Sequence, residues 1–205
     1  MKFQKTLIAS ALMAAGLGLA TSTYAVEKGD WLMRVGATSI NPDDSSSGTL
    51  PDNLIGVDSD TQLSISFTYM YSDNVGVEIL ASLPFTHDIT TAGTKVGEVE
   101  HLPPTVSLEY HFNPKADVRP YVSAGLNWTT ILDESLDDGT PISVDDSTGL
   151  ALTAGVDMDI NKDWFFNASI RYMDIDTTAD IANGAESVDI EIDPWVYTLG
   201  VGTTF

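Results

Sequence analysis

The chain has 205 residues and no cysteine, and its formal net charge is −21 at pH 7 because it carries 30 acidic and only 9 basic residues. Such an acidic surface excludes charge-driven binding of nucleic acid or of anionic lipid. The absence of cysteine excludes disulfides and thiolate metal sites. No segment reaches the roughly 18 uncharged apolar residues that a membrane-spanning helix needs.

The first 25 residues have the pattern of an export signal. Lys2 and Lys5 precede a short apolar run over residues 7–20, and Thr23 and Ala25 place small residues three positions and one position before a cleavage site. A membrane anchor would need a longer run. We therefore predict a signal peptide over 1–25 and one mature domain over 26–205.

The mature chain repeats a two-residue alternation of large apolar and small or polar residues, which predicts β-strands with one face in an apolar medium. The pattern is clear in the last segment, where Trp195, Tyr197 and Leu199 alternate with Val196, Thr198 and Gly200. Eight segments show it: 31–38, 63–71, 75–83, 105–112, 121–128, 150–160, 164–173 and 195–205.

The connections between these segments alternate in length. Short ones at 72–74, 113–117 and 161–163 contain Asn, Asp or Pro, which favour tight turns. Long ones run roughly over 42–60, 84–100, 131–147 and 176–187 and are rich in Asp, Ser, Thr and Gly. This layout predicts an all-β fold, an eight-stranded antiparallel up-and-down transmembrane β-barrel with long external loops and both termini in the periplasm.

An alternative is a soluble lipocalin-like barrel with the apolar row inside. Three features favour the membrane barrel: the length of the apolar rows, the aromatic residues near strand ends, and an opposite row of small residues with charges of both signs. The last strand ends the chain on Phe205, which is typical of outer-membrane barrels. We therefore expect the bacterial outer membrane as the location.

Seven short motifs resemble the OmpW family, which includes the AlkL-type alkane-uptake proteins. They are GDWLMRVG at 29–36, PFTHDI at 84–89, HLPPT at 101–105, YHF at 110–112, RPYV at 119–122, AGLN at 124–127 and DPWV at 193–196. The resemblance covers the whole mature chain. It implies a barrel with a narrow, largely apolar passage through which small hydrophobic molecules enter from outside and leave sideways into the membrane. Leu83 departs from the Gly expected before Pro84.

Prolines indicate where such a lateral opening would lie. Pro103 and Pro104 precede the fourth strand, and proline cannot donate a hydrogen bond to a strand ladder. Unpaired backbone is costly in lipid and must be lined by protein or a cavity. We place the opening at Pro103, Pro104 and Pro84; an ordinary strand start or edge bulge is the alternative.

Inward-facing residues suggest what fills the barrel. Five apolar ones line the passage or simply fill the lumen: Leu32, Met70, Leu80, Phe165 and Met173. Five charged ones are predicted to form lumen ion pairs that block water and ions, because an isolated buried charge is costly: Arg34, Glu78, Glu109, Asp157 and Arg171. The sequence leaves the individual pairings open.

Other site chemistry is weakly supported. His87, His101 and His111 lack the spacing of a metal site, and the acidic loop around Asp133 and Asp145 lacks the calcium-loop pattern. An enzyme reading would need His87 or His101 with Ser82 and Asp88, and no catalytic signature surrounds them. We expect no cofactor, no metal and no catalysis.

The sequence therefore predicts passive uptake of small hydrophobic solutes. The alternative is a structural or receptor barrel whose loops bind phage, toxin or host, and a lipid-modifying enzyme is a third reading. Expected partners are the hydrophobic solutes, outer-membrane lipid, and the periplasmic chaperones and barrel-assembly machinery that act during biogenesis; nucleic acid is not among them.

Overall fold

The structure is a computed structural model that describes residues 26–43, 45–48 and 55–205, with side chains over 26–43 and 56–205. The predicted signal peptide lies outside these residues. In the part of the chain that the structure describes, no helix is long and apolar enough to cross a membrane.

The described residues form fifteen strands. They are β1 (Trp31–Asn41), β2 (Ser45–Gly48), β3 (Ile55–Val57), β4 (Asp60–Met70), β5 (Val75–Ser82), β6 (Phe85–Thr91), β7 (Thr94–Leu102), β8 (Thr105–His111), β9 (Val118–Leu136), β10 (Ile142–Val144), β11 (Ser147–Asp159), β12 (Phe165–Met173), β13 (Asp176–Ile181), β14 (Glu186–Glu191) and β15 (Trp195–Thr204).

Eight of these strands close into an antiparallel barrel, which confirms the predicted fold class. The order around the wall is β1, β4, β5, β8, β9, β11, β12 and β15, and β15 pairs with β1 to close it. Each strand neighbours the next barrel strand along the chain, as in an up-and-down barrel. Each of the eight predicted segments lies in one of these strands, with at most one residue beyond the strand's end.

The barrel faces are arranged for lipid outside and polar packing inside. Leu63, Leu108 and Leu199 are about 60 % exposed on the outer face, whereas Thr68, Asn127 and Asp157 are fully buried inside. A soluble lipocalin-like barrel would show the reverse arrangement. The inverted pattern is that of a transmembrane barrel, whose lipid-facing and lumen-facing residues alternate along each strand.

Aromatic rings lie at both ends of the barrel wall. At the end with short turns, Trp31 lies 5.1 Å from Tyr69 between ring centroids, and Trp31 exchanges two backbone hydrogen bonds with the C-terminal Phe205. At the other end, Tyr172 lies 5.5 Å from Trp195. These positions are those of interfacial girdles. Residue 26, where the described chain begins, lies at the same end as Phe205.

The predicted long loops are largely wrong as loops, because most of their described residues form strands. β9 has 19 residues, twice the roughly ten needed to cross a bilayer, and its upper half pairs with the hairpin of β6 and β7. β6 and β7 are joined by Ala92 and Gly93, both with positive φ, which suits a tight hairpin turn.

A second group of strands completes this extension. β10, β13, β14 and β2 form a separate four-stranded sheet, and β3 joins the edge of β6. We call the two groups together the cup: β3, β6, β7 and residues 130–136 of β9 on one side, and β2, β10, β13 and β14 on the other. The cup stands on the end of the barrel that carries Tyr172 and Trp195.

Candidate functional site

The cup encloses a cavity of about 170 Å³. More than half of its lining residues are Ile, Val or Leu, and these alternate with water-facing residues along each strand. The lining includes Ile89 of β6, Val96 and Val99 of β7, Ile131 and Leu136 of β9, Ile142 and Val144 of β10, Ile181 of β13 and Ile190 of β14. Such a lining can hold a small apolar molecule and offers little to a polar one.

The floor of the cavity is a buried apolar layer. Ile40, Phe85, Met173, Ile175 and Val196 pack together with Ala151 at the top of the barrel. Met173, one of the five predicted lumen residues, therefore lies at the base of the cup and is 2 % exposed.

Below this layer the lumen is filled by charged side chains in direct contact. Arg34 makes a two-pronged contact with Asp157, at 3.1 Å from Nε to Oδ1 and 2.8 Å from Nη2 to Oδ2. The same guanidinium lies 3.5 Å from Glu109 Oε1 and donates to Thr68 Oγ1 at 2.9 Å. A two-pronged Arg–carboxylate contact is among the stronger ionic interactions in proteins.

The remaining two predicted charged residues, Arg171 and Glu78, also form a pair. Arg171 Nη2 lies 2.7 Å from Glu78 Oε2, and Arg171 Nε donates to Thr153 at 2.9 Å. The structure thus places the five predicted charged residues in two ionic clusters. Between them remains a space of only about 30 Å³, which Leu80 also lines.

The remaining predicted lumen residues lie at the opposite end of the barrel. Leu32, Met70 and Phe165 pack against Val26 in a second buried apolar cluster. The five predicted apolar residues therefore occupy three heights, separated by the ionic layer, rather than one continuous stripe.

The sequence analysis did not place Arg119, Asp159 or His111 among the lumen ion pairs. Arg119 Nη2 lies 2.6 Å from Asp159 Oδ1, and His111 Nε2 lies 3.1 Å from Glu109 Oε2. Arg119 has the inward parity of Tyr121, so the strand alternation extended by one pair would have identified it.

The barrel wall is interrupted where the prolines lie. Pairing between β5 and β8 ends at Leu80 and Thr105, and pairing in the hairpin above begins at Phe85 and His101. Within the described chain, residues 81–84 and 102–104 form no ladder pair with each other. This stretch contains Pro84, Pro103 and Pro104.

Each side of the interruption is still attached to its other neighbour. Leu83 N donates to Leu63 O at 2.9 Å, and Trp128 N donates to Pro104 O at 2.9 Å. The wall is therefore intact on both flanks, and the unpaired stretch is a narrow seam between β5 and β8 at the height of the upper aromatic girdle.

A stack of three rings lies beside this seam. The His87 and His101 ring centroids are 5.0 Å apart, and Phe85 lies 6.2 Å from His87 and 5.9 Å from His101. Both imidazoles are buried and line the cavity. Burial lowers the pKa of His87, and burial together with the neighbouring His87 lowers the pKa of His101 to about 3.

Residues considered above for catalysis or metal binding contact other partners in the structure. Asp88 forms an exposed ion pair with Lys95 at 2.7 Å, while His87 Nδ1 contacts the Asp58 carbonyl oxygen at 2.6 Å. In the predicted acidic loop, Asp146 accepts a hydrogen bond from Ile131 N. Among the described residues, three other carboxylates approach one another closely, those of Asp174, Asp176 and Asp193.

Comparisons with known proteins identify the family. The OmpW family model matches residues 27–205. The chain belongs to the OmpW family. It is 42 % identical to outer membrane protein W of Vibrio cholerae over 198 residues, which cover 89 % of this chain and 91 % of that protein.

Solved structures agree with the fold. The crystal structure of the outer membrane protein OprG from Pseudomonas aeruginosa matches with a TM-score of 0.81 and 37 % identity, covering 89 % of this chain and 98 % of that one. The solid-state NMR structure of outer membrane protein AlkL in lipid bilayers matches in fold, with a TM-score of 0.72 and 23 % identity, covering 92 % and 95 % of the two chains. This OmpW-family chain is therefore an outer-membrane β-barrel.

Proposed function

We propose that this OmpW-family barrel takes up small hydrophobic molecules passively and releases them sideways into the outer membrane. The observation that carries the proposal is the contrast between the apolar cup and the ionic lumen below it. A hydrophobic solute gains free energy by leaving water for the cup, at about 25 cal/mol per Å² of buried apolar surface. It would lose that gain among the buried charges of the lumen.

The seam at Pro84, Pro103 and Pro104 supplies the sideways exit in this proposal. It lies next to the cavity-lining His87 and His101, and opening it breaks no ladder pair between residues 81–84 and 102–104. The solute would pass from the cup to the hydrocarbon without crossing the lumen. In this orientation the cup faces the cell exterior and both ends of the mature chain lie in the periplasm.

A reversible cross-link across the seam tests the exit. Ala81→Cys with Leu102→Cys places two thiols on its flanks, and the native chain has no cysteine to interfere. Bridging them with a short thiol-reactive bis-maleimide whose spacer contains a disulfide should stop uptake of an apolar solute into cells, and reduction of the spacer should restore it. Uptake that continues at full rate in the bridged protein would refute lateral exit.

The matched control bridges a part of the same wall that is already paired. Val77 and Leu108 are cross-strand partners in β5 and β8, so a Val77→Cys, Leu108→Cys bridge should leave uptake unchanged. A proline test complements it: replacing Pro103 and Pro104 with Val should slow uptake, whereas Pro141→Ala in the cup should not. Barrel abundance is measured in every strain.

We also infer that the protein has no catalytic role. Support comes from the separation of the set considered above: Asp88 is exposed and paired with Lys95, and His87 is bonded to a backbone carbonyl. Incubation of the purified barrel with outer-membrane lipids, followed by mass spectrometry, should show unmodified lipid. A modified lipid product that disappears in His87→Phe would overturn this inference.

A further inference from the structure

Negative charge is concentrated on the cup and on the turns attached to it. The described residues of this region are 42–43, 45–48, 55–60, 84–102, 130–147 and 174–194. They include 19 acidic residues and one basic residue, Lys95. Lys95 lies 2.7 Å from Asp88 and 3.3 Å from Glu98, so its charge is already paired.

The opposite end of the barrel is nearly balanced in charge. Its described terminal segment and turns are 26–30, 71–74, 112–117 and 160–164. They contain three lysines and five acidic residues. The excess of negative charge therefore belongs to one end of the molecule, the end that encloses the apolar cavity.

The acidic residues surround this cavity on both sides. Glu98 and Asp133 lie on β7 and β9 of one sheet, and Asp180 and Asp189 lie on β13 and β14 of the other; all four are exposed. Among the described residues that line the cavity, none is Lys or Arg and Asp145 is the one acidic residue. The electrostatic potential at the cup is therefore negative from whichever side a solute approaches.

The size of this effect follows from the dimensions of the cup. A ring of eight tilted strands about 4.8 Å apart has a radius of about 8 Å, and outward side chains place their charges about 12 Å from its axis. At that distance one unit charge in water changes the affinity for a monovalent ion about 1.5-fold at 0.01 M ionic strength and about 1.14-fold at 0.15 M. The net 18 negative charges of the cup together favour a cation about tenfold at 0.15 M.

We propose that the cup selects hydrophobic solutes by charge: beside neutral solutes it admits small apolar amines in their ammonium form, and it rejects apolar carboxylates of the same size. This rests on the uptake function proposed above and narrows its substrate class. Loss of hydration penalises both ions as they leave water, so the sign of the potential decides between them. The cavity of about 170 Å³ suits a body of about one aromatic ring, since an apolar cavity of about 150 Å³ holds benzene.

Two pairs of probes separate charge from shape. Benzylammonium and ethylbenzene are isosteric, as are benzoate and nitrobenzene, so each pair compares an ion with a neutral molecule of nearly the same form. Binding is measured on the mature protein in nanodiscs of zwitterionic lipid, with isotope-labelled Ile methyl groups in the cup as reporters. Affinities are referred to the free aqueous concentration, which removes partitioning into the lipid.

Ionic strength tests the native protein without any substitution. The Debye length falls from about 30 Å at 0.01 M to about 3 Å at 1 M, so high salt removes the field of the cup. Over this range the affinity of benzylammonium relative to ethylbenzene should fall at least tenfold. The affinity of benzoate relative to nitrobenzene should rise by a similar factor.

A charge-neutralised variant assigns the field to the cup. It combines four substitutions at exposed positions that do not line the cavity: Asp133→Asn, Asp180→Asn, Glu186→Gln and Asp189→Asn. At 0.01 M ionic strength it should bind benzylammonium about fivefold more weakly and benzoate about fivefold more tightly than the native protein, from four charges at about 12 Å. Ethylbenzene and nitrobenzene should bind as before.

The matched control removes the same number of charges from the other end of the barrel. It carries four substitutions at exposed positions there: Glu27→Gln, Asp73→Asn, Asp117→Asn and Asp163→Asn. Its net charge equals that of the cup variant, yet all four affinities should stay close to those of the native protein because the charges removed are distant from the cavity. Heat-modifiable migration on gels verifies that each barrel is folded.

The outcomes distinguish this proposal from the uptake function. If ethylbenzene binds and both ion-to-neutral ratios are the same in the native protein, the cup variant and the control, charge selection is overturned while the cup remains a hydrophobic site. Equal changes in the cup variant and the control would also overturn it, since the field would not be that of the cup. If none of the four probes binds the native cup, the proposed uptake route fails as well.

Discussion

The interior of the barrel is polar and the interior of the cup is apolar, although continuous strands run through both. Along the inner face of β1, the chain passes from the buried Arg34 and Thr38 in the lumen to Ile40 at the base of the cup. The outer faces change in the opposite sense, from exposed Leu and Val on the barrel to exposed acidic residues on the cup. Those include Glu98, Asp133, Asp180 and Asp189.

The surrounding medium explains this inversion. In hydrocarbon the outer face must be apolar, so the polar residues are confined to the lumen and must satisfy one another. Above the membrane the outer face meets water and the inner face is free to form an apolar cavity. In the function proposed above, the lumen forms the base of the cup and the cup supplies the binding surface.

Breaking the lumen cluster should have the largest effect. Arg34→Met leaves Asp157 and Glu109 buried without their main cation, and the loss of one partner from a buried ion pair costs about 3–5 kcal/mol. We expect the free energy of unfolding in lipid vesicles, measured by urea titration, to fall by that amount.

A compensated variant is the control for this prediction. Arg34→Met combined with Asp157→Asn removes one of the stranded charges and should recover part of the lost stability. If Arg34→Met unfolds at the same urea concentration as the native barrel, the lumen ion pairs do not stabilise the base of the cup.

Lowering the pH should loosen the cup and spare the lumen. The folded-state pKa of His101 is about 3, below the ordinary value of 6.5 that it regains when the hairpin opens. A depressed pKa means that the open state binds more protons, so local stability is complete above pH 6.5 and declines as the pH falls below it. Between pH 7 and pH 5 the loss is ~2 kcal/mol for His101, since one pKa unit corresponds to about 1.4 kcal/mol.

Hydrogen exchange measures this loss. After correction for intrinsic exchange rates, amides of β6 and β7 should lose protection between pH 7 and pH 5, while those of β1 and β12 stay protected. Asp58 and Asp60 are the acidic groups that favour protonation of His87, and Asp60 also acts on His101. In His101→Phe the pH effect should shrink. Equal loss of protection in β1 would show that cup and lumen are not separate units.

These two regions differ in how far the sequence predicts them. The eight barrel strands follow from the alternation, because a lipid-facing row is strictly apolar and each strand is long. The cup strands were predicted as loops for two reasons. They face water and so contain Asp and Thr, and register irregularities at Ile89/Thr90 and Glu100/His101 shift the two-residue period.

The site depends on contacts that the sequence cannot supply. Arg34 and Asp157 are 123 positions apart and Arg171 and Glu78 are 93 apart, so their inward parity was predictable and their pairing was not. The cavity gathers residues from strands of both sheets of the cup, and the rings of His87 and His101, fourteen positions apart in the chain, stack only because the fold pairs β6 with β7.

A smaller effect is expected from one neutral hydrogen bond in the lumen. The buried Thr38 hydroxyl lies 2.6 Å from Ser64 Oγ and 2.8 Å from Thr198 Oγ1. Thr38→Val keeps the shape of the side chain and should lower the free energy of unfolding by about 1 kcal/mol, the net contribution of a typical hydrogen bond. Thr148→Val, at an exposed position of β11, should show no loss, and an equal loss in both variants would refute a specific role for the lumen network.

The smallest effect is expected for the exposed ion pairs of the cup. Lys95 contacts Asp88 at 2.7 Å and Glu98 at 3.3 Å, and all three side chains are exposed to solvent. Exposed pairs gain little because water and salt screen them. Lys95→Met should leave the urea midpoint unchanged within error at any salt concentration, whereas the Arg34→Met loss should persist at high salt because the lumen pairs are shielded from ions. If Lys95→Met destabilises the protein as much as Arg34→Met does, burial is not what separates the two regions.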